Sequence, residues 1–158
     1  MNRKIDASVE CEVPLDDLYG SPEFLIRRAH QIATAVFVEA CADLDLTPSQ
    51  YSALFALRER SPIGQNELGR LIAVDRSTIS IVVKTLRDRQ LVVALSDESD
   101  RRKSFLELTN SGRLMLAKAE KRNSKSSRDL LSVFSKSQAT DFLELLDQLA
   151  HSLDAKSR

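Results

Sequence analysis

GQNELGRLIAVDRSTISIVVKTLRDRQ, residues 64–90, decides the fold. Its apolar residues recur three and four apart, the spacing of a helix face, and the pattern breaks once in the middle. Leu68, Leu71 and Ile72 are expected to be buried by a first short helix. A brief connection through Ala73 and Val74 follows, and Asp75 can then cap a second helix by accepting from the amide near Thr78. Ile79, Val82, Val83 and Leu86 make the inward stripe of that second helix. Two short helices joined by a tight turn form a helix-turn-helix.

Working downstream, the spacing changes at Leu91. LVVALS and SFLELT are two strand-like runs separated by the polar stretch from Asp97 to Lys103, so they form a hairpin with a cationic tip. Thr109 can cap a long helix that opens NSGRLMLAKAE. Ser137 can cap a last one from Thr140 to Leu153, in which Phe142, Leu145, Leu146, Leu149 and Leu153 fall at helical spacing. Between these two helices, KRNSKSSR reads equally as a solvated continuation of the long helix or as a loop. Upstream, Thr47, Pro48 and Gln50 form a capping box at the start of the helix LTPSQYSALFALRE. An earlier helix spans about Pro22 to Asp43, with its apolar stripe on Leu25, Ala29, Ile32, Val36 and Ala40.

The fold class is therefore mainly α with a small β-hairpin, a winged helix-turn-helix flanked by N- and C-terminal helices. Residues 21–158 read as a single domain, with 47–109 as the winged lobe and 21–45 and 110–158 as dimerisation helices; residues 1–20 are expected to be a flexible acidic segment. A chain of 158 residues with 42% hydrophobic content suits one domain. No run is apolar and long enough to span a bilayer, and the N-terminus lacks the apolar core of a secretion signal, so a cytoplasmic protein is expected. Cys11 and Cys41 have no metal-ligand spacing, and reduced thiols are the default.

A formal net charge of zero argues at first against a polyanionic partner. The distribution argues otherwise. Acidic residues crowd the first segment, whereas Arg76, Lys84, Arg87, Arg89, Arg101, Arg102 and Lys103 gather in the middle. Arg76, Ser77, Thr78, Ser80 and Lys84 lie away from the apolar stripe of the second helix and could reach bases and phosphates in a major groove. The wing tip, with Arg101, Arg102 and Lys103, would then meet the adjacent minor groove. The competing readings are an ordinary solvated hairpin and a winged-helix module that contacts only proteins. An enzyme is disfavoured, because His30 and His151 are the only histidines and no glycine-rich phosphate loop or metal-ligand cluster is present; no cofactor is expected.

LTPSQYSALFAL, ELGRLIAVDRSTISIVVKTLRDRQLV and DESDRRKSFLELTNSG resemble, in order and spacing, the MarR family of bacterial transcription regulators, over roughly Phe24 to Ala119. The most specific piece is Asp100, Arg101 and Arg102 followed by Leu106, Leu108, Thr109 and Gly112. The resemblance implies a homodimer of winged helix-turn-helix subunits with interleaved terminal helices, Asp100 orienting the wing and Arg102 entering the minor groove. Gln90 stands where the family usually has glycine, and a left-handed backbone there costs another residue roughly 1 kcal/mol. The dimer has a footing outside the resemblance too, since the leucine stripe of the last helix has little chain left to cover it. A symmetric dimer would bind double-stranded DNA at a pseudo-palindromic operator with half-sites roughly 10 bp apart.

LIRRAHQIATAVF carries the candidate effector site. His30 falls beside Phe37 at one border of the stripe and Arg28 beside Ile32 at the other, and Tyr51 on the next helix is a candidate third wall. Arginine pairs bidentately with a carboxylate and histidine donates to a phenol or carboxylate, so the set suits a small aromatic acid that releases a repressor from DNA. The plainer alternative leaves Arg27 and Arg28 solvated or pairs them with Glu39 and Asp43, leaves His30 a capped or exposed helix residue, and makes Tyr51 core. The stretch RRAHQ resembles that of MarR-type repressors of aromatic-acid breakdown. A thiol-based oxidant sensor is the rival mechanism. Against it, Cys41 has no adjacent cation and lies near the apolar stripe, which favours a buried, inert thiol, while Cys11 falls in the acidic segment.

Overall fold

The computed structural model describes residues 15–96 and 104–154. The chain divides into two compact units, residues 1–34 and 35–158. In the first, α1 (Leu15–Tyr19) precedes α2 (Pro22–Ala40), whose residues 35–40 are counted with the second unit. Ser21 accepts from the Phe24 amide at 3.4 Å ahead of Pro22 in the first turn, and Tyr19 packs on Phe24 with ring centroids 5.3 Å apart. The α2 stripe is uncovered in this unit, with Leu25, Ala29 and Ile32 exposed. The helix ends at Ala40 rather than near Asp43. Ala42–Leu44 tighten into a 3-10 turn, which closes on Asp45 in the left-handed region at φ 48°.

The second unit holds the winged helix-turn-helix. The helix α3 (Pro48–Arg60) opens on the expected capping box, in which Gln50 donates its amide N–H to the Thr47 hydroxyl and accepts from the Thr47 N–H. Its Leu54 and Leu57 are buried with Leu68, Ile79, Leu86 and Leu116. Two turns of α4 (Gln65–Leu71) lead through Ala73, at φ 54°, into α5 (Arg76–Asp88). All four residues expected on the inward face of α5 are buried. The expectation for α4 was wrong at Leu71, which is 50% exposed. So short a helix packs along one narrow edge, here Leu68 and Gly69, and Leu71 turns away from it. A Cβ on Gly69 would lie 3.2 Å from an Ile79 methyl, so the missing side chain is what lets α4 sit close on α5.

Strands β2 (Val92–Ser96) and β3 (Ser104–Leu108) pair antiparallel, from Val92 opposite Leu108 to Ser96 opposite Ser104. A third strand, β1 (Ile63–Gly64), pairs with the other side of β3 and gives the order β1-β3-β2. Two residues are too few to leave a periodic signal, so the sequence announces only the hairpin. The helix α6 (Asn110–Leu131) runs straight through KRNSKSSR, which makes that stretch a continuation and not a loop. Before α7 (Lys136–Asp154) the cap is Ser135, not Ser137. The Gln138 amide donates to the Ser135 hydroxyl and the Gln138 side chain accepts from the Ser135 N–H. Ser135 and Gln138 have the three-residue offset of a reciprocal capping box.

Candidate nucleic-acid interface

The face of α5 is built from its first residue. The Asp75 carboxylate accepts from the Ser77 and Thr78 amides, both at 2.8 Å, and from both hydroxyls. The Ser77 hydroxyl first, and then the Thr78 amide and hydroxyl, hold this carboxyl far below the usual carboxylate range. It is therefore a fixed anion at the helix N-terminus, where unpaired amides welcome negative charge. With the cap setting where the helix begins and the apolar stripe setting its rotation, Arg76, Ser77, Ser80 and Lys84 are left exposed. Thr78 differs from the other candidates. It lies half-buried at the margin, with its hydroxyl turned back 2.8 Å onto Asp75.

Three residues that sequence reading left out of the site belong to the same face. Gln65, the first residue of α4, donates to the Ser80 hydroxyl at 3.0 Å and so braces the two helices at the surface. Arg87 lines, with Gln65, Ser80, Lys84 and Val93, a groove between α5 and β2. Ile81 projects from the middle of α5 and is 67% exposed. Arg87 was visible as part of the basic cluster. Gln65 could be found only by knowing how α4 crosses α5, and Ile81 breaks the rule that an interface for phosphates is polar. Lys84 reaches Asp88 one turn on, at 4.0 Å, an exposed pair of little energetic weight that leaves the ammonium available.

The hairpin is fastened at its base. Thr109 donates its hydroxyl to the Gln90 carbonyl at 2.7 Å, its N–H donates to the Leu91 carbonyl at 3.1 Å, and its hydroxyl accepts from the Gly112 amide at 3.0 Å. Gly112 has to be glycine, because a Cβ there would stand 2.1 Å from the Leu91 carbonyl oxygen. The exit of α5, both wing strands and the start of α6 thus meet at one point. Asp100, Arg101, Arg102 and Lys103, the expected wing-tip residues, lie outside the described residues.

The candidate effector residues fall in different units. Arg28 and His30 are exposed on α2 in the first, where Arg27 hydrogen-bonds Gln31 at 3.4 Å and lies over the Phe24 ring. Tyr51 is half-buried in the second, with its ring 5.4 Å from that of Phe37 and 6.3 Å from that of Phe55, while the Arg58 guanidinium covers Phe55 at 4.5 Å. Asp43, a proposed partner for the α2 arginines, is paired instead with Arg122 at 2.8 Å. Cys41 is wholly buried. Its burial first, and then Asp43, push the thiol pKa up against a smaller opposing pull from Arg122, which disfavours the reactive thiolate. Cys11 lies outside the described residues.

Known proteins share this arrangement. The sequence pattern of the MarR family matches residues 44–103. Over 107 residues the chain is 44% identical to the HTH-type transcriptional repressor NicR of Pseudomonas putida, a match covering 65% of this chain and 68% of NicR. Among solved structures it is similar to the transcriptional repressor CouR bound to a 23-mer DNA duplex, with a TM-score of 0.80 and 27% identity over 88% of this chain and 99% of CouR. It is also similar to BpsR of Bordetella bronchiseptica, whose DNA binding is regulated by 6-hydroxynicotinic acid, with a TM-score of 0.78 and 25% identity over 84% of this chain and 94% of that one. The three-stranded wing sheet, the capped helix pair and these matches lead to one conclusion: the chain belongs to the MarR family of winged helix-turn-helix transcription regulators.

Proposed function

We propose that the protein is a transcriptional repressor of the cytoplasm that grips a pseudo-palindromic operator as a homodimer and is released by a small aromatic acid. The observation that carries the first half is the exposed α5 face, on which Arg76, Lys84 and Arg87 stand together on a helix fixed at its start by Asp75 and along its length by four buried residues. Such a helix enters the major groove with its N-terminal residues at the bases, while the cations take phosphate. The wing then brings Arg101, Arg102 and Lys103 to the neighbouring minor groove, with Asp100 orienting them. CouR bound to DNA, and the repressor NicR, support the same reading.

Two copies are needed to read two half-sites, and α7 supplies a reason for pairing. None of its described residues is buried, and Phe142, Leu145, Leu146 and Leu149 are exposed along it. An apolar stripe of that length favours a partner helix over water.

For the effector, Arg28 provides the bidentate fork for a carboxylate and His30 a donor for a ring hydroxyl. BpsR, regulated by a hydroxylated aromatic acid, supports this choice. Binding of the acid favours a spacing of the two recognition helices that no longer matches successive grooves, and operator affinity falls by the ratio of its affinities for the two states.

A gel shift across a salt series tests the reading. Arg101→Ala with Arg102→Ala weakens binding, and Lys84→Ala lowers the salt slope by about one per subunit that loses a phosphate contact. DNA binding that is absent at low salt, or indifferent to these changes, would leave a winged helix that contacts only proteins. Titrating hydroxylated aromatic acids against the complex tests release. Release by the acids that is lost in Arg28→Ala supports the effector site, whereas release by peroxide alone would favour a thiol route.

A further inference from the structure

The polar side chains along α5 are less available for reading bases than their number suggests. The Ser77 and Thr78 hydroxyls donate to Asp75, the Ser80 hydroxyl to the Arg76 carbonyl at 2.9 Å, and the Thr85 hydroxyl to the Ile81 carbonyl at 2.9 Å. Every hydroxyl proton on the helix is committed to the helix backbone or to its cap. The long side chains that project are the cations Arg76, Lys84 and Arg87, the anion Asp88 at the end of the helix, and Ile81. Ile81 is the only large apolar side chain exposed on α5, at 67%.

A single exposed isoleucine carries no argument by itself, because such residues are common on protein surfaces. The position of this one does. It is the sixth of 13 residues of α5, early enough in the helix to reach base edges. One turn back is Ser77 and one turn on are Lys84 and Thr85, so no apolar neighbour on the helix surface extends it into a protein-binding patch. A β-branched residue is also a mediocre helix former, and nothing in the core uses its side chain. In the major groove, only thymine presents an apolar group, its C5-methyl, and that methyl takes apolar contacts.

We propose that Ile81 is a specificity-determining residue that rests on the C5-methyl of a thymine in each operator half-site. The inference depends on the DNA-binding reading above and deepens it. Arg76, Lys84 and Arg87 supply attraction to any duplex, while Ile81 distinguishes thymine at one position without a hydrogen bond.

The test uses the full-length protein and a duplex that it selects from a randomised library. Each thymine is replaced in turn by deoxyuridine, which deletes the C5-methyl and leaves every hydrogen-bonding edge in place. At one thymine per half-site the replacement weakens binding by about fourfold, the effect of losing one buried methyl group. Ile81→Ala, a change that improves helix propensity, binds the intact duplex more weakly and shows no further loss with deoxyuridine at that thymine. Its salt dependence stays that of the wild type, and Arg76→Ala keeps the methyl effect. Methyl sensitivity that persists undiminished in Ile81→Ala overturns the assignment, as does its absence at every thymine. Salt-dependent but methyl-indifferent binding removes Ile81 alone, and no binding to any duplex at low salt removes the DNA reading with it.

Discussion

Among the described residues, three that are not glycine hold a left-handed backbone: Asp45, Ala73 and Gln90, at φ 48°, 54° and 57°. Gln90 was legible beforehand, because the resemblance named a glycine position and the chain places a glutamine there; Ala73 was not, since an alanine in a turn gives no signal of its own. Gln90→Gly should raise stability by about 1 kcal/mol in urea unfolding, since the substitution removes a Cβ penalty at an exposed site whose backbone bonds are kept. Gly112→Ala goes the other way by about 1–3 kcal/mol, because the added carbon meets a backbone carbonyl that cannot move alone. Asp75 makes stability depend on pH. Its carboxyl is lowered in the folded chain, so its contribution is complete above the ordinary carboxylate range of about pH 4 and is lost as pH falls toward the folded value. Asp75→Asn keeps a capping side chain without the titration. Denaturant unfolding at a series of pH values below about pH 5 should therefore give a flatter acid limb than the wild type.

At the scale of elements, what the sequence announced was local and what it hid was geometric. Capping boxes and the i, i+3, i+4 stripe of α5 are written within a few residues, so the starts of α3, α5 and α6 and the buried side of α5 could be read directly. The exposure of Leu71, the pairing of β1 and the brace from Gln65 to Ser80 depend on how two elements cross, which no single stretch encodes. The same is true of Arg89. From the end of α5 its guanidinium donates to the Leu44 carbonyl at 2.8 Å and to the Asp45 carbonyl, two bonds onto the connection between α2 and α3. The two bonds come from two different guanidinium nitrogens, whereas a lysine would have to reach both carbonyls from one. Arg89→Lys and Arg89→Ala should each lower the urea midpoint, by about 1 kcal/mol for the alanine variant, with only partial recovery in the lysine.

For the whole molecule, the winged core was legible because its motifs are short and ordered along the chain, whereas the proposed partner surface was visible only as an excess of leucine on α7. That excess is now a row of exposed side chains with no buried residue among those described in the helix. Leu146→Asp with Leu149→Asp should convert a sedimenting dimer into a monomer, leave the far-UV circular dichroism of the winged lobe in place, and reduce operator affinity; a variant that still sediments as a dimer would move the interface elsewhere. The fastening at Thr109 also governs how this chain can change its length. Since the Leu91 carbonyl receives the Thr109 N–H and faces Gly112, the 20 residues between Leu91 and Gly112 must return the chain to its starting point. One residue inserted into β3 would swap the two faces of the strand and carry Leu106 and Leu108 out of the core. A pair inserted between Ser99 and Asp100 leaves both paired strands and the closure at Thr109 in register. Descendants of this sequence should therefore gain and lose residues between Ser96 and Ser104 and keep their spacing from there to Gly112.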